Sequence, residues 1–144
     1  MGRATQLVGI GRGRRLFLYR HAVPETSVRI FHNPSCNSSK NALAIAAELG
    51  IQPIVVEYLK KAQRPDRETL EWLVAHLDDP VADLVRKDAL FEKLALDPGA
   101  YVEPGPVIEL LLAYPALMQR PVVVKGERAL IGRPKERVRE LLTG

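Results

Sequence analysis

A second cysteine is missing from this sequence: Cys36 stands alone among 144 residues. An internal disulfide is therefore excluded, and a reducing, cytoplasmic setting is the simplest expectation. Long apolar runs are missing as well. Charges interrupt every window of about 18 residues, so no membrane-spanning segment is expected. Histidine occurs only at positions 21, 32 and 76, which with one cysteine gives poor support for a zinc site. A charge imbalance is absent from most of the chain. The net +4 comes from the first 28 residues, where Arg3, Arg12, Arg14, Arg15 and Arg20 face Glu25 alone; the remainder is neutral. A basic tail on a neutral domain, with no interleaved aromatic pattern, is not a nucleic-acid surface, so no such partner is expected.

What is present suffices for one soluble domain. Hydrophobic residues make up 47% and charged residues 26%, and a chain of this length buries a core without metal or disulfide staples. Residues 1–28 read as a basic extension and residues 29–144 as the domain. The extension has three readings: an arginine-rich transit segment, a disordered basic arm, or the product of a mis-assigned start, with Val28 at the position of a GTG codon. Gln6 breaks the myristoylation pattern. "LFLYRHA" is similar to the Arg-His opening of histidine phosphatases, but no later residues supply the rest of that site, so His21 is read as coincidence.

The order of elements is clear after Val28. "VRIF" (28–31) reads as a strand stopped by Asn-Pro, and "NSSKNALAIAAEL" (37–49) as a helix closed by Gly50 and Ile51. "PIVVEYL" (53–59) is continuously apolar at its start and predicts a strand buried on both faces. Leu70, Leu73, Val74 and Leu77 form one face of an amphipathic helix. Short helices follow over 79–96, then a helix ending before Pro115. "RPVVVK" and "RALIG" read as a hairpin, and the helix at 133–142 carries Pro134 near its first turn. Two early strands joined by a helix predict a parallel pair, and the late strands an antiparallel one. The expected fold is a thioredoxin-like mixed α/β sheet of about four strands, with a helical insertion between the second and third.

Cys36 falls at the first strand-to-helix turn. Ser35, Asn37, Ser38 and Ser39 flank it, so the sequence offers no apolar pocket there. Unpaired N–H groups and the helix dipole stabilise an anion at such a turn, which favours a thiolate over an ordinary thiol with a pKa near ~8.5. The same N–H groups can cradle an oxyanion. Ser39 excludes a C-x-x-C dithiol, and Ala42 excludes a C-x5-R phosphatase loop. His32, four residues earlier, is read two ways: as a donor or cation that tunes the thiol, or as a histidine satisfying a turn carbonyl.

"HNPSCNSSKNAL", "EYL", "LVRK", "FEKLAL" and "YPALMQRPVVVKGERALIGRP", in that order, resemble the glutathione- and glutaredoxin-coupled ArsC-type arsenate reductases. The resemblance implies that Cys36 attacks arsenate or a similar oxyanion and that Arg86, Arg120 and Arg133 hold it, as the planar guanidinium fork suits. It also implies a cis peptide at Pro121, with His32, Ser39 and Lys40 tuning the thiolate. Glutathione is implied as co-substrate and glutaredoxin as partner, with no bound cofactor and no metal; a monomer is expected. Lys40 stands where family members commonly carry arginine, and the C-terminal ending is closer to the family's broader branch. Two other readings stay open: an Spx-like RNA polymerase-binding regulator without its C-x-x-C switch, and a glutathione-dependent thiol–disulfide oxidoreductase.

Overall fold

The computed structural model of the chain describes residues 27–144, so the transit, myristoylation and His21 readings lie outside the described residues. Strand β1 (Val28–Phe31) is fully buried and central, as its β-branched and aromatic residues favour. Val28, the last residue assigned to the extension, is thus the first of the strand. Strand β2 (Ile54–Val56) pairs with β1 in parallel. Strands β3 (Val122–Lys125) and β4 (Arg128–Ile131) form the expected antiparallel hairpin, with β3 against β1. The sheet order is β2-β1-β3-β4.

Side chains alternate between the two faces with the period of a strand. Val28, Ile30, Val123 and Leu130 face helix α1 (Asn37–Glu48) and the last helix, α5 (Glu136–Thr143). Phe31, Val122, Val124 and Ala129 face the insertion, in which α2 (Arg67–His76), α3 (Ala89–Lys93) and α4 (Pro104–Ala113) enclose the larger core. Among the described residues no helix is long and apolar enough to cross a membrane.

Helix α1 ends as its sequence predicts. Gly50 adopts a φ of 72°, its N–H donates to the Ala47 carbonyl at 3.0 Å, and the Ile51 N–H donates to Ala46 at 2.9 Å. This pair of bonds is a Schellman cap, and it needs a residue tolerant of positive φ at that point. Helix α2 begins on Asp66, whose carboxylate accepts from the Thr69 N–H at 2.9 Å.

Three expectations are corrected. Strand β2 is not buried on both faces: Ile54 is 42% and Val55 38% exposed, because β2 is an edge strand with β1 as its only neighbour among the described residues. An apolar run selects a strand but does not fix its place in the sheet. Leu77 leaves helix α2 and bridges to Ala129 of β4, so the apolar stripe outruns the helix by a residue. Pro134 does not open the last helix; α5 starts at Glu136, and the Arg133–Pro134 peptide is cis.

Candidate active site

The C-terminal end of β1 delivers the chain to a short loop before α1. His32 extends the β1–β2 pairing through its N–H to Val56 at 2.8 Å. The loop is then fastened by side chains as well as backbone. Asn33 Oδ1 accepts from the Ser35 N–H at 2.9 Å, and the Cys36 N–H donates to the Asn33 carbonyl at 3.0 Å. The Asn33 N–H donates to the fully buried Ser39 hydroxyl at 3.1 Å. These bonds leave Cys36 as the N-cap of α1, in extended backbone conformation and with no side chain capping the helix.

The first-turn N–H groups therefore have no cap to serve, and they act on the sulfur. Burial pushes the Cys36 thiol up, but the Ser39 N–H, the Arg120 guanidinium and the Ser38 N–H outweigh it and lower the pKa to about 7. A large fraction of the sulfur is thiolate at neutral pH. Cys36 is only 7% exposed although its sequence neighbours are polar. Arg120, Arg133 and the Ser38 and Ser39 N–H groups are the polar groups set against it.

Two chain segments bring positive charge to the sulfur, and a third, carrying Arg86, is tied to one of them. Arg133 Nη2 donates to Cys36 Sγ at 3.4 Å, and its Nε donates to the Arg120 carbonyl at 2.8 Å. Arg120 leads into β3 through a cis peptide to Pro121, as the resemblance implied. Arg120, half-buried, moves the thiol's titration more than the exposed Arg133 does, although Arg133 donates directly to the sulfur. Solvent screens the exposed charge and leaves the sheltered one effective.

Arg86 is held differently. Its Nε donates to Asp88 Oδ2 at 3.0 Å and its Nη1 to Gln119 Oε1 at 3.1 Å. Burial raises the Asp88 carboxyl, but Arg86 and the Phe91 N–H outweigh it and hold it below the ordinary range. Gln119 Oε1 also accepts from the Arg120 N–H at 3.2 Å, which ties the two arginine segments together. The main chain repeats the tie, with Arg86 N–H to Leu117 at 2.7 Å and Gln119 N–H to Leu84 at 2.8 Å.

The remaining predicted residues differ in their contributions. The Ser39 hydroxyl serves Asn33, so Ser39 acts on the sulfur through its backbone N–H. His32 is buried, and burial, with Lys40 nearby, holds its imidazole below the ordinary value against the pull of Glu57; it is neutral at neutral pH. The exposed Lys40 acts on His32, and neither is among the main influences on the thiol. Sequence reasoning missed Asn33, Asp88, Gln119 and Tyr58. Tyr58 is fully buried, donates to the Met118 carbonyl at 3.3 Å and adjoins Arg120, while burial pushes its hydroxyl pKa up. Asp88 and Gln119 had a readable signal, since each lies within two residues of a predicted arginine. Tyr58 had none beyond a polar handle at the end of an apolar run.

Comparison with known proteins places this geometry among relatives. The chain is 37% identical over 118 residues to an arsenate reductase of Haemophilus influenzae, covering 81% of this chain and 99% of that one. It is 38% identical over 118 residues to an arsenate reductase of Rhizobium meliloti, with 81% of each covered. The solved arsenate reductase of Vibrio cholerae superposes with a TM-score of 0.71 at 34% identity, covering 81% of this chain and 98% of that one. The fold is thioredoxin-like, as the element order predicted. Residues 31–141 match the sequence model of the ArsC family, and the chain belongs to the ArsC family.

Proposed function

We propose that the protein is an arsenate reductase in which Cys36 is the nucleophile and external thiols supply the two reducing equivalents. The observation that carries this reading is the Cys36 sulfur, with a pKa of about 7, under Arg120 and 3.4 Å from Arg133 Nη2. The thiolate attacks arsenic, an As–O bond breaks, and the oxygen leaves as hydroxide or water, giving a thiol-bound arsenate. Glutathione then displaces a second oxygen, and glutaredoxin reduces the adduct. The glutaredoxin thiol attacks the glutathione sulfur, so the S–As bond breaks and leaves its electron pair on arsenic. Water then hydrolyses the remaining Cys36–As(III) bond, arsenite departs and Cys36 is regenerated. Glutathione and glutaredoxin end as a mixed disulfide, with a net loss of one arsenate oxygen as water.

Arg120 and Arg133 serve attack in two ways. The charge of Arg120 and the hydrogen bond from Arg133 favour the thiolate before reaction, and both guanidinium groups neutralise arsenate as it approaches. Arg120 Nε is buried with no hydrogen-bond partner among the described residues, a donor that an oxyanion would satisfy. The external thiol follows from the sequence, because Ser39 occupies the place of a resolving cysteine.

The test is arsenate reduction with glutathione and glutaredoxin present. Activity is expected in the wild type and complete loss in Cys36→Ser. Wild-type rates in that variant overturn the mechanism. Turnover of a glutathione mixed disulfide with none of arsenate would support the oxidoreductase reading instead.

A further inference from the structure

Beside Arg133, on the side of the insertion, lies a cleft of about 340 Å³. This is the lower end of the size range of small-molecule sites. Its walls come from distant parts of the chain: Asp79 and Asp83 from the approach to and the body of a 3-10 turn, Lys87 beyond it, Gln119 before β3, Arg133 after β4, and Arg137 on α5. Gln119 and Arg133 also belong to the arginine side of the Cys36 site. The cleft and the sulfur therefore share a wall.

The hydrogen bonds already made inside the cleft define what it has left to offer. Asp79 is spent: it accepts from Arg137 at 2.7 Å and from the Ile131 N–H at 3.0 Å. Arg137 gives only Nη1 to Asp79 and to the Ile131 carbonyl, the latter at 3.0 Å. The Lys87 ammonium donates to the carbonyls of Ala82 and Val85, two of its three donors. Arg133 uses Nε and Nη2, on Arg120 and on the sulfur. Donors on Lys87, Arg133 and Arg137 thus remain, together with the exposed carboxylate of Asp83. A simple anion would leave Asp83 opposed, and an apolar ligand would strip water from charges it cannot pair. A small molecule bearing both carboxylate and ammonium groups matches the lining.

We propose that this cleft binds the thiol co-substrate and selects a small amino-acid-derived thiol, one carrying a carboxylate and a free ammonium group. The proposal rests on the reading that Cys36 works with an external thiol. Arg133, at 3.4 Å from Sγ, forms the boundary between the bound thiol and the Cys36 adduct. Asp83 recognises the ammonium group, and Lys87 and Arg137 the carboxylate end.

S-Methylglutathione, which cannot react, is the probe, titrated into the full chain by calorimetry. Binding to the wild type is expected, at least tenfold weaker in Asp83→Lys. The N-acetylated form of the probe should lose at least tenfold against the wild type but lose little further in Asp83→Asn, because the partner it lacks is gone. Absence of wild-type binding, or equal affinity in Asp83→Lys, overturns the assignment. Arsenate reduction on the same preparations keeps the two readings apart. Reduction with an unchanged KM for glutathione in Asp83→Lys overturns the cleft and leaves the reductase. Asp83-dependent binding in a protein that reduces no arsenate supports the cleft and removes the reductase.

Discussion

The two walls around Cys36 are built from different materials. The cysteine wall, residues 33–39, is local in sequence, uncharged, and fastened by short bonds among Asn33, Ser35, Cys36 and Ser39. The arginine wall is gathered from three segments, at 85–88, 117–121 and 131–134, and carries full charges held by Asp88, Gln119 and main-chain carbonyls. The first wall offers N–H dipoles that help lower the thiol pKa whatever the substrate. The second also helps lower it, but its guanidinium groups are the ones able to grip an oxyanion. Damage to the two walls should therefore be distinguishable: one set of substitutions loosens the fold around an unchanged thiol, the other changes the thiol and the chemistry.

The largest effect short of losing the sulfur is expected at Arg120. Arg120→Lys keeps a charge but loses the planar fork. Charge-assisted hydrogen bonds contribute about 1.5–3 kcal/mol, so arsenate reduction should fall roughly 10–100-fold. The thiol should respond too. In the wild type, the rate of Cys36 alkylation by iodoacetamide should rise with pH around a midpoint of about 7. In the variant that midpoint should move upward. The same ionisation bears on stability with a definite sign. The native thiol is more acidic than in the unfolded chain, so its contribution is complete above the ordinary thiol value and is lost as pH falls through about 7. Urea midpoints compared across that window check the direction.

Gly132 gives a second way to disturb the arginine wall without touching an arginine. A Cβ at this position would lie 2.8 Å from Val138 Cγ2 and 2.9 Å from Pro121 Cγ. Neither can swing away, since Val138 is fully buried and Pro121 is a ring. The Gly132 N–H also donates to the Pro121 carbonyl at 2.9 Å, which fixes the two segments in register. Gly132→Ala should cost ~1–3 kcal/mol as an overpacked site, read by urea denaturation. Because Arg120 and Arg133 flank the contact, activity should fall with stability.

The two walls were also unequally legible in the sequence. The cysteine wall could be read locally: a strand run, Asn-Pro, a lone cysteine among serines and an alanine-rich helix all sit between residues 28 and 49. The arginines could not be singled out by charge among 21 basic residues. Their segments became recognisable through resemblance, and the fold then brought them together. Of what supports them, Asp88 lies two residues from Arg86, but Gln119 reaches Arg86 through a contact between distant loops that no periodicity records. The exposure of β2 escaped for a similar reason. Val122, Val123 and Val124 are as apolar as Ile54, Val55 and Val56, yet only the former lie between two strands. The roles of Ser39 and His32 turned on local geometry: one hydroxyl spent on Asn33, one imidazole kept neutral by burial.

Ser39 supplies the sharpest contrast and the smallest expected effect. Its hydroxyl accepts the Asn33 N–H inside the protein, while its own N–H faces the sulfur. Ser39→Ala removes the first and leaves the second. A buried donor left without its acceptor costs roughly 1 kcal/mol, the low end of the usual range, because the bonds from Ser35 and Cys36 to Asn33 still hold the loop. Stability should therefore drop slightly, while the alkylation midpoint stays near 7. A midpoint that rose as far as in Arg120→Lys would mean that the hydroxyl itself serves the thiolate. The cysteine wall would then act through a side chain as the arginine wall does, and the division between a dipolar wall and a charged one would fail.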